Sequence, residues 1–306
     1  MKSTRLPPAR TDAAIRWAAT RLKRARLAYG HGTDNPHDDA AALVFHAAGW
    51  AHAAAPAAYR WPLPAAARAA LAGLVARRIT ERMPSAYLTG RTWFAGHEMR
   101  IDPRALVPRS PIAELITHRF RPFLEPPLVR RILDIGTGSG CIAIACALAF
   151  PRAVVDAVDI SAAALEVAHE NVRAHRLARR VRLARGSVYR SVGAARYDLI
   201  VSNPPYVPRA EVLALPAEYG HEPRIGLEAG EDGLKVVRAI LRGAARHLKP
   251  GGILVVEVGD SAAAVAAAWP RLPFLWLDFE HGGGGVFLLS REQLAPRARR
   301  ARSRRR

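Results

Sequence analysis

The chain has 306 residues, half of them hydrophobic, and a formal net charge of +20. No run approaches the ~20 apolar residues of a membrane-spanning helix, and residues 1–10 lack the apolar stretch of a secretory signal. Cys141 and Cys146 lie in one predicted helix and would point in different directions, so neither a disulfide nor a metal pair is expected. These features predict a cytoplasmic protein.

Residues 1–85 are predicted to form a helical domain. Apolar residues recur at helical spacing between positions 15 and 25, with arginines on the opposite face. Asn35 followed by Pro36 is typical of a helix start, because Asn can cap the helix and Pro suits its first position. A further helix is predicted from about Pro64 to Arg82.

Residues 86–110 are predicted to contain a β-hairpin that connects this domain to the next. Thr-Trp-Phe and Glu-Met-Arg-Ile flank a turn near Gly96. In residues 111–294, apolar runs alternate with helical stretches, which predicts an α/β fold with a largely parallel sheet covered on both faces. The last two runs have a short glycine-rich connection and are expected to pair antiparallel. The runs fall at 131–135, 154–158, 181–184, 197–202, 252–258, 273–279 and 285–289.

Residues 295–306 are predicted to form an arginine-rich tail. Arginine occupies seven of the last ten positions, namely Arg297, Arg299, Arg300, Arg302, Arg304, Arg305 and Arg306. Such a tail can be a disordered solubilising end or a weak RNA-binding arm that releases counterions from phosphates. The excess of arginine over lysine along the whole chain also indicates a general compositional bias, and both interpretations stay open.

A glycine-rich segment, Asp134-Ile135-Gly136-Thr137-Gly138-Ser139-Gly140, ends the first strand of the sheet and opens a helix. Glycines let the backbone turn sharply and approach a ligand closely, and ligands of open α/β sheets bind at the carboxyl ends of the strands. Asp159 ends the second strand, where its carboxylate can accept both ribose hydroxyl hydrogens of a nucleoside. Ser187 and Val188 follow the third strand, where position 187 would face the adenine.

The ligand of this loop is predicted to be S-adenosylmethionine. Cys141 stands where the dinucleotide fingerprint needs Gly or Ala, which disfavours NAD. The loop also lacks the Gly-Lys-Ser/Thr of a nucleoside triphosphate site. S-adenosylmethionine has no phosphate, so a helix start without lysine suits it.

Asn203-Pro204-Pro205-Tyr206 follows the fourth strand and is the candidate chemical site. The two prolines fix the backbone. The Asn203 side chain and the Pro204 carbonyl can together accept both hydrogens of a planar NH2 group. They would thereby direct its nitrogen at a methyl donor, and Tyr206 would pack against the planar group. The segment therefore predicts methyl transfer to a planar nitrogen, and by itself it leaves glutamine, adenine and guanine open.

Other polar residues are weaker candidates. His97-Glu98 and His221-Glu222 do not complete a metal-binding H-E-x-x-H pattern, so each is interpreted as a hydrogen-bonding loop element and no metal site is expected. Arg109 and Glu114 precede the cofactor domain, and we hypothesise that they reach the site.

The combination of motifs resembles the class I methyltransferases and, more narrowly, the HemK-type protein-(glutamine-N5) methyltransferase family, which methylates glutamines of translation proteins. In that family a helical N-terminal domain joins, through a hairpin, a Rossmann-like methyltransferase domain with D-x-G-T-G-S/T-G and N-P-P-Y, here Asp134 to Gly140 and Asn203 to Tyr206. The resemblance implies S-adenosylmethionine contacts at Gly136 through Gly140, Asp159, Val188 and Asn203. Ser187 stands where relatives commonly carry Asp.

Four flanking segments resemble the branch that methylates a glutamine of large-subunit ribosomal protein L-three. They are Tyr29 to Asn35, Trp93 to Glu98, Pro108 to Ile116 and Tyr219 to Pro223. The resemblance implies that the helical domain recognises the substrate protein. The alternatives are a release-factor glutamine methyltransferase, a methyltransferase for an exocyclic amine of adenine or guanine in RNA or DNA, and a ribosome-assembly RNA-binding protein with a dormant cofactor fold.

Overall fold

The computed structural model describes residues 6–55 and 57–295. The chain divides into two compact units. The first comprises Met1–Arg109 together with Leu213–Gly226, and the second comprises Ser110–Val212 together with Leu227–Arg306. The arginine-rich tail lies outside the described residues.

Helices build most of the first unit, and their apolar faces meet in one core. Ile15, Leu22, Leu43 and Leu71 are fully buried there, and the burial of Ile15 and Leu22 agrees with the helical spacing predicted for the first helix. The predicted helix start is confirmed, since the Asn35 side chain accepts hydrogen bonds of 3.0 Å from the amides at the start of α2. The helices are α1 (Thr11–Arg24), α2 (Pro36–Ala48), α3 (Ala65–Thr80) and α4 (Ser85–Thr89).

The predicted hairpin is confirmed, and it belongs to the first unit. Strands β1 (Arg91–Phe94) and β2 (His97–Arg100) pair antiparallel around Ala95 and Gly96. Both turn residues have positive φ, +48° and +79°. In a two-residue hairpin loop, this conformation matches the right-handed twist of the two flanking strands. Leu213–Gly226 also belongs to this unit, although no sequence pattern indicated it.

The second unit alternates strands and helices, as the apolar runs predicted. After α5 (Ile112–Thr117), the strands are β3 (Arg131–Ile135), β4 (Val154–Asp159), β5 (Val181–Arg185), β6 (Tyr197–Ser202), β7 (Leu248–Glu257), β8 (Leu275–Leu277) and β9 (Val286–Ser290). The helices around them are α6 (Cys141–Ala149), α7 (Ala162–Ala174), α8 (Arg209–Val212), α9 (Lys235–His247), α10 (Ala262–Ala268) and α11 (Arg291–Leu294).

Within the described residues, these seven strands form one sheet in the order β5-β4-β3-β6-β7-β9-β8. Strands β3 to β7 are parallel, and β9 pairs antiparallel with both β7 and β8, which confirms the predicted antiparallel pair. The strand order reverses between β3 and β6. Ligands of open α/β sheets bind at such a reversal, beyond the carboxyl ends of the strands, so the fold directs attention to the residues after Ile135 and Ser202.

In the described part of the chain, no helix combines the length and apolar character needed to cross a membrane. Cys141 and Cys146 are buried free thiols on α6. Burial raises the pKa of both thiols, to about 12 for Cys141, so these thiols remain protonated and pack as small apolar side chains.

Candidate active site

The glycine-rich segment forms a tight loop between β3 and α6. Gly136, Gly138 and Gly140 have φ values of +73°, +54° and +82°, a left-handed region that glycine enters without a steric penalty. The amides of Gly136 and Thr137 both donate to the Val158 carbonyl, at 2.8 and 3.0 Å. The loop is therefore fastened to the neighbouring strand β4.

Asp134 ties the loop together from inside. Its carboxylate accepts the Thr137 hydroxyl at 2.6 Å and the Ala143 amide at 3.1 Å, and the residue is fully buried. Burial raises the pKa of Asp134 to about 7, although the Thr137 hydrogen bond opposes the rise. Ser139 is also buried, and its carbonyl accepts the Asn171 side chain at 2.9 Å. The Thr137 side chain and the Ser139 backbone carbonyl thus stabilise the loop itself.

Asp159 lies where the sequence predicts a ribose acceptor, at the end of β4. One carboxylate oxygen accepts the Gly138 amide and the other accepts the Ser161 amide, each at 2.8 Å. Burial raises the pKa of Asp159, and the backbone hydrogen bonds limit the rise. Because each carboxylate oxygen has two acceptor positions, Asp159 can still receive two hydroxyl hydrogens. The site therefore fits the nucleoside part of S-adenosylmethionine.

The segment after β5 approaches Asp159 through its backbone. The Gly186 amide donates to the Asp159 carbonyl at 2.9 Å. Ser187 is exposed, and Val188 is half-buried with φ of +54°. A β-branched residue in that conformation is rare and is found mainly where the surroundings enforce it, often at functional sites. Tyr189 packs on His247, with ring centroids 4.3 Å apart.

The Asn203-Pro204-Pro205-Tyr206 segment lies beside the glycine loop. The Ser202 hydroxyl donates to the Ile135 carbonyl at 2.7 Å and joins the ends of β6 and β3. A Cβ placed on Gly136 would lie 3.8 Å from the Asn203 carbonyl oxygen and 3.9 Å from the Pro204 Cα. The structure thus brings the predicted cofactor loop and the predicted chemical segment together at the reversal of strand order.

The Asn203 side chain is accessible to a ligand. Asn203 and Pro205 are half-buried, and Pro204 is buried. Within the described part of the chain, the Asn203 carboxamide has no hydrogen-bond partner, so its oxygen is available as an acceptor.

Sequence reasoning missed the groups that hold Tyr206. Its hydroxyl lies 3.4 Å from a carboxylate oxygen of Glu257, and its carbonyl accepts the Ser261 hydroxyl at 2.8 Å. Glu257 also accepts the Ser110 hydroxyl at 2.5 Å. In the sequence, Glu257 could have been singled out as a carboxylate at the carboxyl end of strand β7. Its partners Ser110 and Tyr206 lie far from it in the chain, so the contacts could not be predicted.

Arg109 and Glu114, which we hypothesised to reach the site, each contact another group of the protein. The Arg109 guanidinium makes a bidentate ion pair with Glu222, at 2.6 and 2.7 Å. Glu114 accepts the Glu280 amide. His221 binds the Glu81 carbonyl at 2.7 Å, as its interpretation as a loop residue predicted. In residues 6–55 and 57–295, no cluster of three or more His, Cys, Asp or Glu side chains could hold a metal ion.

Two family models match the chain. The "Methyltransferase small domain" model matches residues 117–215, which include the glycine loop and the Asn203 segment. The "PrmC N-terminal domain" model matches residues 13–90.

Curated relatives are similar over nearly the whole chain. A "Ribosomal protein uL3 glutamine methyltransferase" of Bordetella pertussis is 46% identical over 281 residues, which cover 92% of this chain and 94% of the relative. A protein of the same name from Xanthomonas campestris pv. campestris is 46% identical over 286 residues, covering 93% and 92%. Among solved structures, a methyltransferase from Pyrococcus furiosus aligns with a TM-score of 0.46 at 18% identity, covering 72% of this chain and 95% of that one.

Proposed function

Because the chain belongs to the ribosomal protein uL3 glutamine methyltransferase family, we propose that its Asn203-Pro204-Pro205-Tyr206 segment holds the glutamine side chain that receives the methyl group. The protein is an S-adenosylmethionine-dependent enzyme with a class I, Rossmann-like methyltransferase fold. It methylates the side-chain amide nitrogen of a glutamine in ribosomal protein uL3. The branch predicted from the flanking segments is thereby confirmed over the release-factor and nucleobase alternatives.

The glycine loop and Asp159 are the proposed cofactor site. Gly136, Gly138 and Gly140 let the backbone approach the cofactor, and the Asp159 carboxylate accepts the ribose hydroxyls. Thr137, Ser139, Ser187, Val188 and Asn203 complete the proposed set of contacts. When bound, S-adenosylmethionine supplies an electrophilic methyl group on its sulfonium. The open acceptor positions on Asp159, whose two oxygens each hold a single backbone amide, support this assignment.

Asn203 and Pro204 are the proposed positioning groups for the acceptor nitrogen. The lone pair of a glutamine amide is delocalised into its carbonyl, so the nitrogen is a weak nucleophile. The Asn203 carboxamide oxygen and the Pro204 carbonyl accept its two hydrogens, and the rigid prolines keep both acceptors in place. Fixing the nitrogen in the direction of attack removes much of the entropic barrier of a bimolecular reaction. Pro205 and Tyr206 border the amide plane.

One observation carries the proposal. The Gly136 backbone lies against the Asn203 carbonyl and the Pro204 Cα, with 3.8 and 3.9 Å to a Cβ built on the glycine. The Ser202–Ile135 hydrogen bond fixes this neighbourhood at the strand ends. A methyl donor on the loop and an amide on Asn203 would therefore be adjacent.

We assign the parts of the chain different tasks within this reaction. We propose that residues 1–85 recognise the substrate protein, that residues 86–110 lead into the methyltransferase domain, and that residues 111–294, apart from Leu213–Gly226 of the first unit, form that domain. The separate family matches over residues 13–90 and 117–215 support a division in this region. A ribosomal-protein substrate supports a cytoplasmic location for the reaction.

Incubation of the enzyme with purified uL3 and methyl-labelled S-adenosylmethionine tests the function. Mass mapping should find one methylated glutamine in uL3, and the Asn203→Ala variant should leave it unmodified. Label on added ribosomal RNA, with none on uL3, would overturn the proposal in favour of nucleobase methylation.

The arginine-rich tail is a proposed weak contact to ribosomal RNA. Seven positive charges in its last ten residues can release counterions from an RNA backbone. Deletion of residues 297–306 should lower RNA affinity and flatten its dependence on salt. If both stay unchanged, the tail is not an RNA-binding arm.

A further inference from the structure

Glu257 is a buried carboxylate at the end of β7, and only 4% of its surface is exposed. Two hydroxyl groups from distant parts of the chain point at its oxygens. The Ser110 hydroxyl donates to Oε2 at 2.5 Å, and the Tyr206 hydroxyl lies 3.4 Å from Oε1. Burying a carboxylate costs free energy unless such partners are present. Because one of the partners is Tyr206, the last residue of the Asn203 segment, Glu257 is coupled to that segment.

Tight packing limits where Tyr206 can lie. A Cβ on Gly259 would come within 2.7 Å of the Tyr206 ring, and one on Gly233 within 2.6 Å of its carbonyl oxygen. Only glycine fits at these two positions, and both have positive φ, +48° and +71°. The Ser261 hydroxyl fixes the same carbonyl. The ring edge, the carbonyl and the hydroxyl of Tyr206 are therefore each held by a different group.

We propose that Glu257 is a positioning residue for methyl transfer, acting through the Tyr206 hydroxyl, with Ser110 orienting its carboxylate. This inference rests on the proposed role of the Asn203 segment. The separation of 3.4 Å exceeds that of a strong O–H···O bond. The packing against Gly259 and Gly233 therefore sets the position of the Tyr206 ring, and the contact with Glu257 adds only to its direction. If the Tyr206 ring tilted away, it would no longer pack against the glutamine amide. Misplacement of the reacting amide by about 1 Å can lower the rate on the order of a hundredfold.

Glu257→Gln is the informative substitution. It keeps the size of the side chain, but a carboxamide offers one acceptor oxygen, and its NH2 group must face the other hydroxyl. The arrangement of the two donors around the carboxylate is then lost. We expect kcat for uL3 methylation to fall by about tenfold to a hundredfold, while the Kd for S-adenosylmethionine changes by less than about twofold.

A double-mutant cycle with Tyr206→Phe separates positioning from a merely structural role. If Glu257 acts through the Tyr206 hydroxyl, Glu257→Gln should lower kcat by less than about twofold in the Tyr206→Phe background. The same fold-loss in both backgrounds would overturn the inference. Ser110→Ala should reproduce part of the kcat loss, since it removes the group that orients the carboxylate.

Asp156 and Tyr197 provide a matched control. The Tyr197 hydroxyl donates to the Asp156 carboxylate at 2.9 Å, near the opposite ends of the strands. Asp156→Asn should leave kcat unchanged, although it likewise replaces a carboxylate that a tyrosine hydroxyl contacts and also breaks the Arg131–Asp156 ion pair. A comparable loss of kcat in this control would mean that the effect at Glu257 is general destabilisation, which would overturn the inference.

Urea unfolding measures the coupling between Glu257 and Tyr206 without an activity assay. It uses the wild type, the two single variants Glu257→Gln and Tyr206→Phe, and the double variant. Glu257→Gln should shift the unfolding midpoint less in the Tyr206→Phe background than in the wild type, and equal shifts would overturn the inference. An inactive wild-type enzyme would count against the proposed function, and the unfolding cycle would then still test the Glu257–Tyr206 interaction.

Discussion

The backbone amide of Gly138 donates a hydrogen bond of 2.8 Å to the carboxylate of Asp159. This bond joins the tip of the glycine loop to the end of β4. The turn that approaches the cofactor and the carboxylate that receives its ribose are therefore joined directly, and a change in either should weaken cofactor binding.

Gly138→Ala should weaken S-adenosylmethionine binding without a clash in the folded chain. Gly138 has φ of +54°, and no atom lies within 4 Å of a Cβ built on it. Alanine in this left-handed conformation costs about 1–2 kcal/mol of stability. Gly193→Ala is the control, because Gly193 has φ of +57° and equally open surroundings. Both should lose similar stability in urea, and only Gly138→Ala should raise the Kd in calorimetry. Equal Kd values would contradict close approach of the cofactor at Gly138.

Asn203→Ala should reduce kcat/KM for uL3 by about a hundredfold or more, because the amide loses one of its two acceptors and its orientation. The unfolding free energy should change little, since the Asn203 side chain is half-buried. Asn35→Ala is the converse control: it removes the cap of α2, which should cost about 1 kcal/mol of stability and leave kcat/KM intact. Steady-state kinetics and urea unfolding measure both. A small kinetic effect of Asn203→Ala would refute its proposed role.

Asp134 should make stability fall as pH rises. Burial raises its pKa to about 7 in the folded chain, whereas an unfolded Asp titrates near ~4. Between these values the folded chain holds a proton that the unfolded chain has released, so the free energy of unfolding decreases up to about pH 7 and is then constant. Asp134→Asn removes this titration.

The measurement is urea unfolding of wild type and Asp134→Asn at about pH 5 and pH 8. We expect the variant to gain stability relative to the wild type at the higher pH, where the buried wild-type carboxylate is charged. Identical pH dependence in the two proteins would show that Asp134 is ionised throughout.

Arg109→Met should strongly destabilise the first unit. It leaves the buried Glu222 carboxylate without its bidentate partner, and removal of one member of a buried ion pair typically costs about 3–5 kcal/mol. Burial opposes ionisation of Glu222, but His31 and Arg109 together hold its pKa below the usual value. The pair therefore stabilises above the unfolded pKa, near ~4, and this stability is lost as pH falls through the lower, folded pKa.

Arg77→Met is the control for Arg109→Met, because the Arg77–Glu81 pair lies on the exposed face of α3. Exposed pairs contribute little, so the change in urea midpoint should be much smaller. Similar losses in the two variants would show that the Arg109–Glu222 pair has no special energetic role.

Several local features could be read directly from the sequence. The cap at Asn35, the turn at Ala95 and Gly96, and the positive-φ glycines of the cofactor loop depend on residues within a few positions of one another. Alternating apolar runs likewise predicted the strands of the sheet and the antiparallel pair at its end. Each of these rests on backbone stereochemistry or on the burial pattern of a single element, which neighbouring residues determine.

The sequence by itself therefore determined the elements, the α/β fold class and the identity of the Asn203 segment. Only the tertiary structure decided that Glu257, Ser110 and Tyr206 meet, that Arg109 pairs with Glu222, and that residues 213–226 belong to the first unit. These contacts join side chains that are 51 to 147 positions apart. Sequence patterns indicate which groups are buried. The partner that offsets the cost of burying a charge comes from a distant part of the chain, and only folding brings the two together.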